Sequence, residues 1–493
     1  MDEDNHAIEL SSGTLEAVGR SLPIPRYVRK AHPPGITHVS VGNFHRAHQA
    51  LYVDEALARG EKEWGIHAVG ALPADRSMVE ALTRQDGLYT LVERNGDRAA
   101  ARVIGSLFGA THAPSDPEGV VEQLAAPETR IVTLTITENG YGHDPATGQL
   151  DRTRDDVTWD LSGRLPRRTC LGMIVEALAR RERAGRAPLT VLSCDNIPSN
   201  GDTARRLALE LAEARSRPLA RWIERNISFP NGMVDRITPA SMPQGRELVN
   251  ALYGVRDAIP VLTEPFRQWV IEDRFVSGRP NWEESGVLMV DDVRPYELAK
   301  IRLLNVSHSA LAYPGILAGL TFVHEAVRNS SIAGFVCQMM DEEIAPGLDR
   351  VPGMDIAEYA DTLMTRFSNE AIADRLERIC MDGSRKLSIQ LFPIVRERLS
   401  AGQPIRRLAY VIASWLTYLR GRDDHGRTIA VIDPLSDRLA RMGGVATSFS
   451  DWSGSGLFPA DLLQSTDFSN EVSRALNAIT AVGAIAALGG YID

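Results

Sequence analysis

The sequence predicts an α/β protein with a mostly parallel sheet in its N-terminal part and a mainly helical C-terminal part. In the first third, short β-branched runs such as ITHVSV and WGIHAVGAL alternate with helical segments, which is the pattern of crossover units in a parallel sheet. Beyond about residue 226, strand-like runs become sparse and long helical patterns dominate, at residues 295–320, 355–380 and 405–420.

A chain of 493 residues is too long for one ordinary hydrophobic core, so two domains are expected. We place them at residues 1–225 and 226–493. The connection between the two domains is expected in FPNGMVDRITPASMPQG. This segment contains several residues that interrupt regular secondary structure: Pro230, Pro239, Pro243 and Gly245.

The composition points to small-molecule ligands. A formal charge of -10 and a pI near 5.7 argue against nucleic acid or an anionic membrane as a partner, because either favours a basic face. The N-terminal MDEDNHAIEL lacks the basic start and apolar run of a signal peptide, and the alanine-rich stretch near the C-terminus is interpreted as a docked helix. A cytoplasmic protein is therefore expected.

The cysteines support the same compartment. They are widely spread and show no CxxC spacing of a zinc or redox site, so we expect reduced thiols at Cys170, Cys194, Cys337 and Cys380.

HVSVGNFHRAHQALYVDEA contains a strand, a turn at Gly42 and an amphipathic helix that begins near Asn43 and Phe44. This is the order in which a parallel sheet offers helix N-terminal amides to a pyrophosphate, so residues 1–225 are expected to form a Rossmann-like dinucleotide-binding domain. The G-x-G-x-x-G fingerprint is incomplete, because Ser40 takes the first glycine position and His45 the third. The alternative is a plain strand-to-helix turn.

Two further features lie near this turn. Asp75 follows the second strand, where an acidic side chain can bind an adenosine ribose, although the adjacent Arg76 could instead receive a 2′-phosphate. His45 and His48, three residues apart, are a possible metal pair, but the neighbouring sequence supplies no further ligands at a suitable spacing. No metal is therefore expected.

YELAKIRLLNVSHSALAY places polar groups in an otherwise apolar helical pattern, with Pro295 in the first turn. On an α-helix with Lys300 at 0°, Glu297 falls at roughly 60°, His308 at roughly 80° and Asn305 at roughly 140°. Each residue alone is explained by solvation or a structural hydrogen bond. Together, with leucine on both flanks, they favour a pocket wall.

Polar residues also follow two of the predicted strands. Asp195 and Asn196 come directly after the strand that ends at Cys194, the edge where open α/β sheets bind ligands, and Glu138 lies in TITENGYG after another strand. The alternatives are a turn residue for Asn196 and a solvated loop carboxylate for Glu138. Asn200 is expected to cap the following helix.

These residues resemble the polyol-specific long-chain dehydrogenases. The resemblance covers nearly the whole chain, through VGNFHRAHQ, TLTITENGY, SCDNIPSNG, SFPNGMVDRITP, EPFRQWVIEDRF and RFSNEAIADRLERICMDGSRK. Its most specific motif is Lys-x4-Asn-x2-His, at Lys300, Asn305 and His308.

The resemblance implies roles for individual residues. It makes Lys300 the general base, and Asn196 and Asn305 the amides that hold the reacting oxygen. It assigns polyol binding to His308, Asp235, Arg378 and Lys386, roles near the proton path to Glu138 and Glu297, and cofactor binding to Gly42, Asn43, Phe44 and Asp75. The sequence departs from the family at Ser40, where glycine is usual, and at Ala74, where an acidic residue is frequent.

The implied activity is the NAD-dependent, metal-independent oxidation of a secondary alcohol of an acyclic polyol to a ketose, with mannitol to fructose as the first expectation and a monomer as the expected state. A lysine base requires a pKa lowered by burial or by cations such as Arg378 and Lys386. The alternatives are a uronate reductase or an arabinitol dehydrogenase on the same scaffold, and a non-catalytic dinucleotide sensor.

Overall fold

The computed structural model describes residues 7–29, 31, 33–144, 147–239, 243–435 and 448–492. The chain divides into two compact units, Met1–Val293 and Arg294–Asp493, called unit 1 and unit 2 below. All strands in the described ranges lie in unit 1: β1 Ile8–Glu9, β2 Ile36–Val39, β3 Ile66–Gly70, β4 Tyr89–Asn95, β5 Arg98–Ile104, β6 Leu107–His112, β7 Ile131–Leu134, β8 Thr190–Ser193, β9 Gly232–Asp235, β10 Val255–Arg256, β11 Val261–Thr263, β12 Gln268–Glu272 and β13 Leu288–Val290.

The central sheet of unit 1 has five parallel strands in the order β6-β3-β2-β7-β8. Along the chain this is the order 3-2-1-4-5 of the doubly wound fold, so the topological switch point lies between β2 and β7. Both faces are covered, because Ile36 packs in one apolar cluster and Val39 in another. The predicted Rossmann-like sheet is confirmed.

Helices cover and connect this sheet. In unit 1 the α-helices are Leu15–Val18, Asn43–Ala47, Gln49–Ala58, Arg76–Arg84, Pro117–Ala125, Thr137–Gly140, Asp155–Leu161, Cys170–Arg183, Asn200–Arg215, Arg217–Asn226 and Pro243–Tyr253, with 3₁₀ turns at Pro73–Asp75 and Trp282–Ser285. Most of them follow the β-branched runs in the alternation that the sequence predicted.

The division between the units differs from the expected boundary at residue 225. Residues 226–293 pack with unit 1, because β11 pairs with β4 and β9 pairs with β12 in a small mixed sheet with β13. These strands are only three to five residues long and find partners far along the chain. The expectation that strands become sparse after residue 226 therefore holds only beyond Val293.

Unit 2 is built from helices. Its α-helices are Arg294–Ala299, Val306–Leu317, Val323–Arg328, Ser330–Gln338, Ile356–Phe367, Leu376–Cys380, Gly383–Gln390, Phe392–Ser400, Arg406–Tyr418, Phe449–Ser453, Ala460–Gln464, Thr466–Val482 and Ala484–Ala487. Two π-helical turns, Lys300–Asn305 and Met339–Ile344, and 3₁₀ turns at Ala345–Gly347, Glu370–Ile372 and Leu488–Gly490 complete it.

The core of unit 2 forms around the almost entirely buried helix Arg406–Tyr418, which packs against Val306–Leu317 and Thr466–Val482. The C-terminal stretch is thus a docked helix, as predicted. All four cysteines are unpaired. None of the helices in the described ranges is both long and apolar enough to traverse a lipid bilayer.

Candidate active site

The loop after β2 contains the strained backbone position of the predicted nucleotide turn. Ser40 adopts a φ of 76°, a left-handed conformation that favours glycine, which is the residue expected there. The amides of Ser40 and Val41 both donate to the carbonyl of Val69, at 2.9 and 3.0 Å, and Thr135 Oγ1 donates to the Ser40 carbonyl at 2.8 Å. These bonds tie the loop to β3 and to the segment after β7, on both sides of the switch point.

Among the described residues, none fills the space beside Gly42 at the start of the next helix. Its backbone is extended, with φ −120° and ψ −171°, so any residue could adopt it, and a Cβ built at Gly42 would have no described heavy atom within 4 Å. The helix Asn43–Ala47 has no side-chain cap, so its first amides remain available to an anion. Room and amide donors at the switch point fit a dinucleotide pyrophosphate.

The side chains of Asn43 and Phe44 are engaged within unit 1. Asn43 accepts from Arg46 Nη2 at 2.7 Å and donates to the Pro239 carbonyl at 3.3 Å, and Phe44 stacks on His48 with 5.0 Å between ring centroids. Cofactor contacts by these two residues would therefore come from their backbone.

Asp75 lies beyond the end of β3, beside the switch point. Its carboxylate accepts the Leu72 amide at 2.8 Å and closes the 3₁₀ turn Pro73–Asp75. Arg76 is exposed and donates from Nη2 to Ser115 Oγ at 2.7 Å, in the loop after β6. The ribose role of Asp75 and the alternative 2′-phosphate role of Arg76 both stay predictions.

The histidines of the turn form a buried ring cluster. His38 and His45 stack with 3.3 Å between centroids, and both are fully buried. Both ring nitrogens of His48 are engaged, one with the Gln268 carbonyl at 2.9 Å and the other with Gln49 Nε2 at 3.0 Å. Burial lowers the pKa of His48 to about 3, so the ring is neutral. His48 is therefore held as a structural residue by hydrogen bonds at both ring nitrogens.

A buried carboxylate organises the segment after β7. Asp195, two residues after the end of β8, accepts the amides of Thr137 at 2.7 Å and Ile136 at 3.2 Å, and the Tyr141 hydroxyl at 2.9 Å. Burial raises the pKa of Asp195 to about 6. Thr137 has a φ of 58°, and the next residue is Glu138.

Asn200 joins the same carboxyl edge to β9. Its Nδ2 donates to the carbonyls of Asp195 at 3.0 Å and Gly232 at 2.7 Å, and its Oδ1 accepts the Gly232 amide at 3.0 Å. The prediction that Asn200 caps the helix is wrong, since the N-cap is Ser199, with a φ of 47°. The fully buried Asn200 side chain instead links the segment after β8 to β9.

Three predicted site residues of unit 1 lie along the chain segments that these hydrogen bonds join. Glu138 follows the amides held by Asp195, Asn196 is exposed one residue beyond Asp195, and Asp235 is the buried last residue of β9, which Asn200 holds at Gly232. Asp235 lies three residues along β9 from the Gly232 contact, and the site roles of Glu138, Asn196 and Asp235 stay predictions.

In unit 2, Lys300 and Asn305 lie in a π-helical turn and not in a continuous α-helix. Hydrogen bonds in such a turn join residues five apart, which places Asn305 one turn above Lys300, whereas an α-helix would separate them by about 140°. Lys300 is 6% exposed, between buried Ala299 and Leu304. The turn therefore brings the two residues closer to one face than the sequence predicted.

The remaining polar residues of unit 2 lie on elements that pack around this turn. His308 is half-buried one turn beyond Asn305, with its ring 4.6 Å from that of Phe367. The helix Gly383–Gln390, which carries Lys386, packs against the π turn. Lys386 Nζ donates to the Ile379 carbonyl at 3.2 Å, and burial lowers the pKa of Lys386. Glu297 lies half-buried one turn before Lys300.

Arg378 is paired. Its Nε and Nη2 donate to the two carboxylate oxygens of Asp374 at 2.8 and 2.7 Å. Asp374 is buried, whereas the Arg378 side chain is 58% exposed.

Sequence reasoning missed the contributions of Asp195, Asn200 and Asp374. The spacing of Asp374 four residues before Arg378 on a helical pattern was a usable signal. The role of Asp195 carried a weaker signal, its place beside Asn196 after an apolar strand. Nothing in the sequence indicated that Asn200 would reach β9.

Two family models match the chain. The Mannitol dehydrogenase Rossmann domain matches residues 34–284, and the Mannitol dehydrogenase C-terminal domain matches residues 292–480. These limits agree with the division at Val293.

Full-length relatives and solved structures are also similar. Mannitol 2-dehydrogenase of Pyrenophora tritici-repentis is 42% identical over 98% of this chain and 86% of that protein, and that of Aspergillus clavatus is 42% identical over 99% of each. Pseudomonas fluorescens mannitol 2-dehydrogenase, solved in a ternary complex with NAD and D-mannitol, superposes with a TM-score of 0.89 at 38% identity, covering 98% of this chain and 99% of that one. A D-sorbitol dehydrogenase in substrate-free form gives a TM-score of 0.89 at 37% identity, covering 97% and 100%.

Proposed function

Because this chain belongs to the mannitol dehydrogenase family, we propose that it is an NAD-dependent oxidoreductase that oxidises D-mannitol to D-fructose. The complex of the Pseudomonas fluorescens relative with NAD and D-mannitol supports both the cofactor and the first substrate. The family resemblance further supports a monomer, and the unpaired cysteines fit the reducing cytoplasm.

The observation that carries the mechanism is the buried Lys300 on the π-helical turn, one turn below Asn305. In oxidation Lys300 Nζ accepts the proton of the reacting hydroxyl, and in reduction it returns that proton. The composition supports this role, because only four of the 54 basic residues are lysines: Lys30, Lys62, Lys300 and Lys386. Elsewhere the chain uses arginine, which cannot act as a base because it does not lose its proton in proteins.

Amide groups complete the proton-transfer chemistry. The Asn196 and Asn305 side chains donate to the reacting oxygen and stabilise its alkoxide-like charge as the carbon–hydrogen bond breaks. Glu138 and Glu297 connect Lys300 to solvent protons. Asp235, His308, Arg378 and Lys386 bind the remaining hydroxyls of the polyol. Because an amine and two amides supply these functions, the reaction is proposed to need no metal.

The cofactor residues of unit 1 fit NAD. NAD supplies the hydride acceptor when bound. The open space at Gly42 and the uncapped amides of Asn43 and Phe44 would hold its pyrophosphate, and Asp75 would accept hydrogen bonds from its adenosine ribose. Asp75 would also repel the 2′-phosphate of NADP.

The uronate reductase alternative requires a cation that can bind a carboxylate in a bidentate manner. Arg378 is such a cation, but its Nε and Nη2 edge already pairs with the Asp374 carboxylate, which offsets its charge. The paired guanidinium retains donors for neutral hydroxyls, so the geometry favours a neutral polyol. An arabinitol dehydrogenase remains the second candidate on this scaffold, since arabinitol is also neutral.

The test is an absorbance assay of NADH formation with D-mannitol, D-sorbitol and D-arabinitol, and of NADH consumption with fructose and a uronate. We expect D-mannitol to give the highest kcat/KM. A higher value for D-arabinitol or for the uronate would reassign the substrate. Binding of NADH without turnover of any compound would instead identify a non-catalytic dinucleotide sensor.

A further inference from the structure

The hydrogen-bond network around Asp195 has a geometry that the proposed mechanism does not use. Asp195 is 7% exposed, yet its carboxylate contacts no candidate substrate-binding residue among the bonds described above. It accepts two consecutive backbone amides, at Ile136 and Thr137. Both precede Glu138, so the carboxylate fixes the direction in which the chain enters that residue.

The backbone held in this way is strained. Thr137 has a φ of 58°, a left-handed conformation that costs a β-branched residue free energy unless its surroundings enforce it. The Thr137 amide makes the shortest of the three bonds to Asp195, at 2.7 Å. The carboxylate is therefore the group that stabilises this conformation.

A second layer of the network fixes Asp195 itself. Tyr141 is buried, and its hydroxyl bonds both Asp195 Oδ2 at 2.9 Å and Ser193 Oγ at 2.6 Å. On the other side, Asn200 holds the Asp195 carbonyl and both backbone groups of Gly232. Asp195 is thus fixed by its carboxylate and by its main chain.

The close packing of the Asn200 helix prevents compensating movement. A Cβ at Gly201 would lie 2.3 Å from the Pro230 carbonyl oxygen, so this helix start approaches the backbone before β9 as closely as glycine allows. Asn231, which follows Pro230, also accepts the Asp202 amide at 3.0 Å. A change at Asp195 is therefore relieved by the loop of Ile136–Glu138 and not by the helix.

We infer that Asp195 is a positioning residue for proton transfer, which sets the orientation of Glu138 through the amides of Ile136 and Thr137. The inference rests on the proposed function, in which Glu138 belongs to the proton path. The Asp195 carboxylate acts by accepting hydrogen bonds on both of its oxygens at once. Asparagine has the same shape, but its amide nitrogen would face a donor that needs an acceptor.

The test is a double-mutant cycle of Asp195→Asn and Glu138→Gln, measured with D-mannitol and NAD. Asp195→Asn alone should lower kcat by about ten-fold to a hundred-fold, because displacement of a catalytic group by about 1 Å has effects of that size. The Kd of NADH should stay within about two-fold. In the Glu138→Gln background, Asp195→Asn should lower kcat by no more than about two-fold, since the group that it positions is already lost.

The matched control is Asp160→Asn. Asp160 is 5% exposed and also accepts two amides and one hydroxyl, from Arg168 at 2.9 Å, Thr169 at 2.9 Å and Thr169 Oγ1 at 2.6 Å. No predicted site residue comes directly after Arg168 and Thr169, the residues whose amides Asp160 accepts. Its kcat loss should be small, and equal with and without Glu138.

Three results would overturn the inference. If the losses from Asp195→Asn and Glu138→Gln simply multiply, Asp195 does not act through Glu138. If Asp195→Asn fails to fold, Tyr141→Phe removes only the hydroxyl bonds and should show a smaller kcat loss that disappears in Glu138→Gln; a loss that persists there contradicts the inference. If the wild-type enzyme oxidises no polyol, the proposed function fails and this inference with it.

Discussion

Asp374 occupies one bidentate edge of Arg378 through two parallel bonds, from Nε to Oδ1 and from Nη2 to Oδ2. This pair bears on the choice between a polyol and a uronate, because a guanidinium whose charge a carboxylate already offsets binds a second carboxylate less strongly than an unpaired one. Asp374 is buried and the Arg378 side chain is exposed. A ligand that approaches the guanidinium from solvent therefore competes with the Asp374 carboxylate for its hydrogen-bond donors.

Asp374→Asn should therefore raise activity toward uronates. When the guanidinium is freed, kcat/KM for reduction of the uronate should increase by about ten-fold relative to kcat/KM for reduction of fructose. This is the effect of one charge-assisted interaction of roughly 1.5 kcal/mol. The measurement is NADH consumption with fructose and with a uronate. The control is Asp423→Asn, since Asp423 and Arg427 form the same i,i+4 pair with side chains 5% and 61% exposed. An equal shift in both variants would contradict a specific role of Asp374.

Lys300→Ala should abolish turnover while leaving cofactor binding intact. A general base typically raises the rate by about 10² to 10⁴, so kcat should fall by at least about 10²-fold. The Kd of NADH, measured by fluorescence titration, should change by less than about two-fold, because the proposed pyrophosphate contacts are at Gly42. Lys386→Ala should mainly raise the KM of the polyol. A variant Lys300→Ala that keeps more than about a tenth of the wild-type rate would remove Lys300 from the mechanism.

Gly42→Val should weaken cofactor binding without destabilising the protein. The backbone of Gly42 is extended and its Cβ position has no described neighbour within 4 Å, so valine meets no described atom at its Cβ and would project into the space proposed for the pyrophosphate. We expect an unchanged melting temperature without cofactor and a Kd for NADH at least about ten-fold higher, equivalent to ~1.4 kcal/mol. An unchanged Kd would show that the pyrophosphate binds elsewhere.

Asp75→Ala should narrow the preference for NAD over NADP. Removal of one carboxylate that repels the 2′-phosphate should change the selectivity by roughly ten-fold to a hundred-fold, or ~1 to 3 kcal/mol. The measurement is kcat/KM with both cofactors. Arg76→Ala should leave the ratio unchanged, because the Arg76 guanidinium is bound to Ser115. Loss of NADP activity in that variant would mean that Arg76 receives the phosphate.

Treatment with EDTA should leave the rate of polyol oxidation unchanged. Lys300 and two asparagine amides are proposed to do the work that a Lewis acid does in other dehydrogenases, and both nitrogens of His48 are already bound within the protein. The assay is NADH formation after dialysis against the chelator. A loss of rate that zinc restores would contradict the lysine mechanism.

The sequence predicted the elements whose signals are local. The alternation of β-branched runs and helical patterns predicted the parallel sheet, and the turn at Gly42 and the acid at Asp75 follow its first two strands, β2 and β3. The strands after residue 226 were missed because they are short and their stability comes from distant partners, such as the pairing of Val261 with Leu91.

The candidate site was predictable as a set of residues but not as a geometry. The apolar positions around Lys300 fit both an α-helix and a π turn, because Leu303 and Leu304 are buried in either case. The pairing of Asn200 with Gly232 and of Asp195 with Thr137 depends on which loops meet at the sheet edge. That information is carried by the folded chain and not by the spacing of residues.

The π-helical turn also allows the deletion of a single residue to abolish activity without disrupting the fold. Its hydrogen bonds join residues five apart, so the turn holds one residue more than an α-helical turn. Deleting one residue between Lys300 and Asn305 would let the flanking helices Arg294–Ala299 and Val306–Leu317 join as one α-helix and keep their packing. The proposed base and amide would then no longer share the turn that aligns them. A descendant of this enzyme would thus lose turnover in one mutational step and retain the sheet that binds its dinucleotide.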